Sequence, residues 1–162
     1  MYGNPDQIDA LAREVRDHAE RADEQSHRVR DLGRTLPWTG AAGDGFRIRM
    51  ARRATACAGV RDDLLAAATA LEHHGDEVRA LLAEIARLQV AIADWVGSAV
   101  DVATDLAKRA GEAAGDVTGA VLEVDSYLPW KGWDFDPRVT PPPGHQGWLE
   151  LGRKIGAQGV TL

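Results

Sequence analysis

The residues that come closest to a metal site are His73 and His74, which stand beside Asp76 and Glu77. On a helix, His73 and Glu77 share one face because they lie four positions apart. A zinc site needs three or four protein ligands, and no other His or Cys recurs at a spacing typical of such a site. The cluster therefore predicts a polar surface pair, with no metal and no cofactor.

No other group of residues predicts catalysis. No serine is flanked as in a nucleophile elbow, and the chain has no phosphate loop and no paired-carboxylate pocket. The single cysteine, Cys57, lies among alanines and is interpreted as a small core residue rather than a reactive thiol. Asp134 and Asp136 flank Phe135 in a segment too short to hold a catalytic scaffold. We therefore expect a protein that is not an enzyme and has no catalytic residue.

An arginine-rich run occupies residues 47–61 of a chain whose formal net charge is -6. An acidic chain is a poor candidate for binding nucleic acid, which requires a basic face. Pairing of these arginines with acidic residues of the preceding helix is the simpler interpretation. The predicted pairs are Arg52 and Arg53 with Asp23 and Glu24, and Arg61 with Asp17.

Two long, alanine-rich segments must position these side chains. The first is predicted as a helix that begins with Asn4 as its cap and Pro5 in its first turn, and that ends before Pro37. Its apolar positions alternate in steps of three and four, which is a heptad stripe facing a neighbouring helix. The stripe comprises Ile8, Leu11, Val15, Ala22, Val29, Leu32 and Leu36, with His18 and Gln25 at the remaining positions.

The break between the two helices carries the tripeptide Trp38-Thr39-Gly40. A reversal between close helices needs a residue that tolerates positive φ, and Gly40 supplies it. Trp38 can close the end of a helical pair with its large ring, and it can also form a recognition surface there. The second helix is predicted to start between residues 41 and 46 and to end at Val96. Its stripe comprises Phe46, Met50, Ala54, Cys57, Leu64, Ala68, Leu71, Val78, Leu82, Ile85, Ile92 and Trp95.

The second helix is much longer than the first, so residues 76–96 extend beyond the pair with an apolar stripe uncovered. Gly97 can end this helix, and Ser98 with Asp101 forms a capping-box spacing that predicts a third helix. Either this third helix or a partner chain covers the stripe. A bend of the second helix near Gly75 is the alternative.

The C-terminal segment is rich in proline and tryptophan and predicts mostly extended linker. Residues 147–155 predict one short amphipathic helix. Its apolar positions are Trp148, Leu151 and Ile155. Trp130 and Trp133 either dock on the overhanging part of the second helix or enter a groove of a partner, and docking within the chain is the simpler case.

These patterns predict an all-α fold: a long antiparallel helical hairpin, an added third helix, and a largely irregular C-terminal tail. The predicted domains are residues 1–118, with the hairpin and third helix, and residues 119–162, with the tail. Charged residues interrupt the best apolar run, and the N-terminal residues lack the basic and apolar regions of a signal peptide. We expect no membrane span, and any export would proceed without a conventional cleavable signal.

The turn resembles that of the Trp-x-Gly (WXG) family of small type VII secretion substrates. The family's small and aromatic residues after the turn are matched by Ala41, Ala42, Phe46 and Arg47. A looser family pattern is a His, an acid four residues later, and small positions three apart. It is matched by His73, Glu77, Ala80 and Ala83. The resemblance covers residues 5–96 and leaves out the tail.

The resemblance implies a non-enzymatic hairpin that pairs with another WXG-like helical protein, identical or different, into a four-helix bundle. It also implies passage from the cytoplasm through a type VII (ESX-like) apparatus, with Trp38 and Gly40 as the turn motif. Partner-binding residues are predicted along the two stripes. They are Ile8, Leu11, Val15, Phe46, Leu82 and Ile85.

Alternatives to a secreted substrate stay open. Actinobacterial family members often carry a tyrosine followed four residues later by an acid, whereas here Lys131 follows Tyr127. The export signal then comes from a partner, or the protein is not exported. The hairpin can also be the N-terminal delivery domain of a type VII toxin whose effector is the tail, or a cytoplasmic scaffold unrelated to secretion.

Overall fold

The computed structural model describes residues 3–113 and 124–162 and is helical wherever regular structure occurs in them. These ranges contain no strand, and the predicted all-α class is confirmed. The elements are helix α1 (Pro5–Thr35), helix α2 (Gly40–Ala113), a short 3-10 turn (Val124–Tyr127) and helix α3 (Gly147–Ala157).

The chain forms two compact units, Met1–Ala80 and Leu81–Leu162. The division between them falls within α2, since that helix contributes to both units. The predicted domain boundary between residues 118 and 119 lies outside the described residues.

Helix α1 begins as its sequence predicts. The Asn4 side chain accepts a hydrogen bond from the Asp6 N–H at 2.9 Å, and Pro5 occupies the first turn, where its missing N–H has no cost. The helix ends with Leu36 in an extended conformation, because Pro37 disfavours helical geometry at the preceding residue.

The chain reverses immediately after α1. Gly40 adopts a φ of +79°, the left-handed conformation predicted for this position. An L side chain is strained at such a φ, so glycine here is a requirement of the turn.

Helix α2 is longer than predicted, and the separate third helix expected after Gly97 is wrong. The helix passes through Gly97 and continues to Ala113. One glycine weakens a helix by about 1 kcal/mol relative to alanine, which is a small penalty beside the packing of a buried face. Ala103 and Ala107 provide that packing, because both are buried in the second unit. Gly75, the alternative bend site, also lies inside the continuous helix.

The contact between α1 and the first part of α2 is built from small side chains. The buried residues of α1 recur every seven positions and are Ala12, Ala19, Ser26 and Gly33. Those of α2 include Ala54, Ala68 and Gly75. The backbones approach closely as a result: Ser26 Oγ donates a hydrogen bond to the Ala54 carbonyl oxygen at 2.9 Å. A Cβ on Gly33 would lie 3.0 Å from the Met50 Cβ.

The predicted stripe of α1 is wrong at every second position, where the residue does not enter the contact with α2. Ile8 does face α2, since its Cγ2 would lie 3.6 Å from a Cβ on Gly75. Leu11 and Leu32, by contrast, stay 47% and 53% exposed. The reason is steric: small residues one position further along let the helices approach closely, and a pattern based on hydrophobicity does not register them.

The register of the antiparallel pair also differs from the prediction. Arg61 Nη1 pairs with Asp23 Oδ1 at 2.8 Å and not with Asp17. The prediction placed the fold point at residues 38–40. In the structure the first turn of α2 belongs to the reversal, because Gly43 packs directly against the Trp38 carbonyl group. Arg61 therefore pairs with a residue of α1 that lies about two helical turns closer to the reversal than predicted.

In the second unit, the C-terminal segment covers the apolar stripe of α2. Helix α3 packs at Leu88, where a Cβ on Gly152 would lie 2.9 Å from the Leu88 Cδ2. The predicted short helix in this segment is confirmed. Its buried apolar residues are Trp148, Leu151 and Ile155, as predicted.

Trp130 docks within its own chain, which confirms the simpler of the two expectations. Its ring lies 5.3 Å from that of Trp95 and packs in a cluster with Ala103 and Leu128. Trp133 stacks on the same Trp95 at 5.9 Å between ring centroids. The tail therefore contributes to the core of this unit together with α2 and is not free linker.

Candidate interaction surface

The helical pair of the first unit has two unlike sides, and one of them is charged. Ion pairs cross between the helices there at three successive heptad positions of α1. They join Asp9 to Arg79, Arg16 to Glu72 at 2.6 Å, and Asp23 to Arg61 at 2.8 Å. Hydrogen bonds to Asp62 and to Asp23 raise the pKa of Arg61. Solvent-exposed pairs of this kind contribute about 0.2–1 kcal/mol each. They therefore connect the two helices on this side but add little to the free energy of unfolding.

The opposite side of the pair is apolar. Residues three and four apart share a helix face, so Leu11 lies beside Ile8 and Val15, and Leu32 lies beside Val29. In an antiparallel pair, this flank of α1 lies on the side away from the one that carries the ion pairs. The two leucines are about half exposed, and the other three residues are half-buried.

Helix α2 continues this apolar side. Its Val60 is 52% exposed, and five further residues at heptad-related positions are half-buried. We call the combined surface the open face. It consists of Ile8, Leu11, Val15, Val29, Leu32, Phe46, Met50, Cys57, Val60, Leu64 and Leu71. The exposed His18 and Gln25 interrupt the apolar residues on α1, but apolar side chains gathered on one side of a helical pair are typical of an interaction site.

No family model, no curated protein and no solved structure matches this chain. The role of the open face therefore has to be inferred from its own geometry.

Four of the predicted partner-binding residues lie on the open face, three of them near the start of α1 and one at the turn. These are Ile8, Leu11, Val15 and Phe46. The remaining two, Leu82 and Ile85, belong to the second unit. Leu82 is half-buried, and Ile85 is only 1% exposed, so the Ile85 side chain is not accessible to a partner in this structure. The prediction left open whether the tail or a partner covers this part of the α2 stripe, and in the structure the C-terminal segment covers it.

The turn places Trp38 at the end of the open face. Its ring is 53% exposed and packs edge-on against Phe46, with 5.4 Å between ring centroids. Its carbonyl oxygen accepts a hydrogen bond from Arg47 Nη2 at 2.6 Å. A Cβ on Gly43 would lie 2.5 Å from the same oxygen. Gly43 is thus a turn residue that the sequence reasoning missed, although a second glycine three residues after Gly40 was the available signal.

The predicted His and acid positions lie on the surface of α2. His73 Nδ1 is 3.3 Å from Glu77 Oε1, and His74 Nδ1 is 3.7 Å from Glu77 Oε2, with all three side chains mostly exposed. Within residues 3–113 and 124–162, no three His, Cys, Asp or Glu side chains are grouped so that they could hold a metal ion. None of the helices described there has a stretch long and apolar enough to cross a bilayer.

The second unit contains a row of aromatic rings. Neighbouring centroids lie 5.2–5.9 Å apart in the order Trp130, Trp95, Trp133 and Phe135. Arg138 lies 5.8 Å from the centroid of Trp130 and also bonds to Asp136. These hydrogen bonds from Arg138 lower the pKa of the Asp136 carboxyl group. Asp136 therefore anchors the arginine that lies over the Trp130 ring.

Proposed function

We propose that this protein is a non-enzymatic helical-hairpin protein that pairs with a second helical hairpin through its open face. The observation that carries the proposal is the half-exposed row of Leu11, Leu32 and Val60 on helices whose opposite side is closed by ion pairs. Two such surfaces placed against each other form the core of a four-helix bundle.

The energetics indicate that the whole length of the open face takes part. Full burial of a leucine or valine contributes about 1.5–3 kcal/mol, so each half-exposed side chain adds roughly 1 kcal/mol. Association costs an estimated 4–15 kcal/mol. Leu11, Leu32 and Val60 cannot meet this cost alone, and the half-buried residues between them must also lose their remaining exposure. The proposed complex is therefore a side-by-side pair of hairpins and not a contact at the turn.

The proposed biological role is that of a type VII secretion substrate, or of the secretion partner of one. Support comes from the resemblance of Trp38 and Gly40 to the WXG turn and of His73 and Glu77 to the family's second pattern. The partners are then another WXG-like protein, identical or different, and the type VII machinery. In this role the protein acts without a cofactor and passes from the cytoplasm through the type VII apparatus.

Sedimentation equilibrium of the purified chain, alone and co-expressed with helical proteins encoded beside it, tests the pairing. A variant carrying Leu11→Glu and Leu32→Glu places two charges on the open face and should lose association. The matched control carries Ile48→Glu and Leu65→Glu, which change equally exposed side chains outside the open face. The control variant should associate as the unmodified chain does.

Two results would contradict the proposal. One is a chain that stays monomeric at all concentrations and binds none of the co-expressed helical proteins. The other is association that the Leu11→Glu, Leu32→Glu variant retains, or that both variants lose equally.

A second candidate function is the delivery of an effector carried by the tail. The observation that favours it is that Leu81–Leu162 forms a compact unit of its own. This unit also has a groove of about 430 Å³, lined among others by Phe135, Val139, Leu151 and Lys154. Expression of the full chain in the host should then arrest growth, and deletion of residues 125–162 should relieve the arrest. Growth unaffected by the full chain would exclude this function.

A further inference from the structure

The turn end of the first unit is strongly basic, although the chain as a whole carries a net charge of -6. Residues 28–53 contain seven arginines, against only two acidic residues, Asp31 and Asp44. The pairing predicted for Arg52 and Arg53 does not occur among the described residues, where neither forms an ion pair. This end of the hairpin therefore has a local excess of positive charge that the fold itself does not neutralise.

Three of these arginines converge on one groove. The groove has a volume of about 440 Å³ and is lined by Arg30, Gly33, Arg34, Arg47 and Ala51. It lies on the side of the pair that carries the cross-helix ion pairs, since Arg30 is the next heptad position after Asp9, Arg16 and Asp23. The groove and the open face are thus on opposite sides of the hairpin and can be occupied at the same time.

The three guanidinium groups are not equivalent. Arg47 is held in place by Asp44 Oδ1 at 2.8 Å and by the Trp38 carbonyl oxygen at 2.6 Å. Arg30 and Arg34 form no ion pair with any described residue. They lie four residues apart on α1, an arrangement that is unfavourable for like charges by about 0.2–0.5 kcal/mol. An anion in the groove would remove this repulsion and meet donors from both helices.

We propose that this groove binds a multiply charged phosphate group. Guanidinium forks match the oxygens of phosphate in a bidentate way, and three of them can neutralise more charge than a single carboxylate carries. The volume suits a small ligand, and small-molecule sites commonly measure about 300–1,000 Å³. Gly33 and Ala51 complete the lining of the groove.

The test uses the full chain and inorganic tripolyphosphate, titrated by isothermal calorimetry at low ionic strength. The variant Arg30→Gln, Arg34→Gln should weaken binding by about tenfold or more, because each lost charge-assisted hydrogen bond is worth roughly one such factor. The matched control is Arg28→Gln, Arg52→Gln, which removes the same charge from the same end but outside the groove. It should weaken binding only slightly, and circular dichroism should show both variants folded.

A second arm distinguishes the source of the phosphate. Vesicles containing phosphatidic acid, whose phosphomonoester carries more than one negative charge at pH 7, are sedimented with the protein: pelleting that depends on Arg30 and Arg34 assigns a lipid headgroup. Tripolyphosphate binding that depends on these arginines without pelleting assigns a soluble phosphate compound. The proposal is overturned if neither probe binds, or if the control variant weakens binding as much as the Arg30→Gln, Arg34→Gln variant does.

Discussion

Gly43→Ala provides a sharp test of the turn, because helix propensity and packing predict opposite signs for the change in the free energy of unfolding. Alanine inside a helix is favoured over glycine by up to about 1 kcal/mol. At this position, however, the new Cβ would lie 2.5 Å from the Trp38 carbonyl oxygen and 2.8 Å from its carbon. Those are backbone atoms, and the oxygen is also bonded to Arg47. The clash therefore has to be relieved by moving the turn.

The expected magnitude follows from these two opposing effects. Overpacking typically costs 1–3 kcal/mol, and a clash with backbone belongs in the upper part of that range, about 2–3 kcal/mol. Subtracting the gain of about 1 kcal/mol in propensity leaves a net destabilisation of about 1–2 kcal/mol. For a chain of this length, that lowers the melting temperature by roughly 2–8 °C.

Thermal and urea unfolding followed by circular dichroism measure this change. The controls are Gly45→Ala and Gly59→Ala in the same helix, where a Cβ meets only Arg49 Nη1 at 3.6 Å or nothing within 4 Å. Both should stabilise the protein by up to about 1 kcal/mol. A Gly43→Ala variant as stable as these controls would refute the close approach of Gly43 to the turn.

Two further predictions concern the register and the tail. A double-mutant cycle of Asp23→Asn and Arg61→Gln should give a coupling of about 0.2–1 kcal/mol in urea unfolding. The cycle of Asp17→Asn with Arg61→Gln should give none. Coupling between Arg61 and Asp17 would instead support the register predicted from the sequence. Arg138→Gln should raise the pKa of the Asp136 carboxyl group towards its ordinary value in a carbon-detected NMR titration. Because that pKa is lowered in the folded chain, the stabilisation by Arg138 is present above the unfolded pKa of about 3.9 and is lost as the pH falls through the folded pKa. An Asp136 pKa that Arg138→Gln leaves unchanged would contradict the hydrogen bonds between Arg138 and Asp136.

The ends of α1 and the reversal were predictable because each depends on local chemistry. Asn4 caps, Pro37 prevents continuation, and Gly40 supplies the positive φ. These are properties of single residues that hold in nearly any context. The C-terminal helix was predictable for the same kind of reason, since its three apolar residues have helical spacing over a short stretch.

The helix contact was not predictable from hydrophobicity alone. The stripe that contains Leu11 and Leu32 is the more apolar one, yet the buried contact uses Ser26 and Gly33 instead. Close approach of two backbones depends on small side chains, which carry little hydrophobic signal. The same residues of α1 form part of the open face. The heptad pattern therefore identified a surface that lies beside the helix contact, and not the contact itself.

The course of α2 beyond Gly97 depends on tertiary packing. A glycine and a capping-box spacing predicted a helix end there, but burial of Ala103 and Ala107 keeps the helix continuous. The residues that pack against this part of α2, such as Trp130, come from far along the chain. A pattern read over short windows contains no information about such partners.

The most direct measurement of the pairing uses Cys57, the chain's single cysteine, which is half-buried on the open face. The rate at which a soluble disulfide reagent modifies this thiol is compared between the separated chain and the purified complex with its helical partner. Pairing through the open face predicts a much slower reaction in the complex, with the original rate restored by Leu11→Glu and Leu32→Glu. A stable complex in which Cys57 reacts as fast as in the separated chain would contradict pairing through this surface.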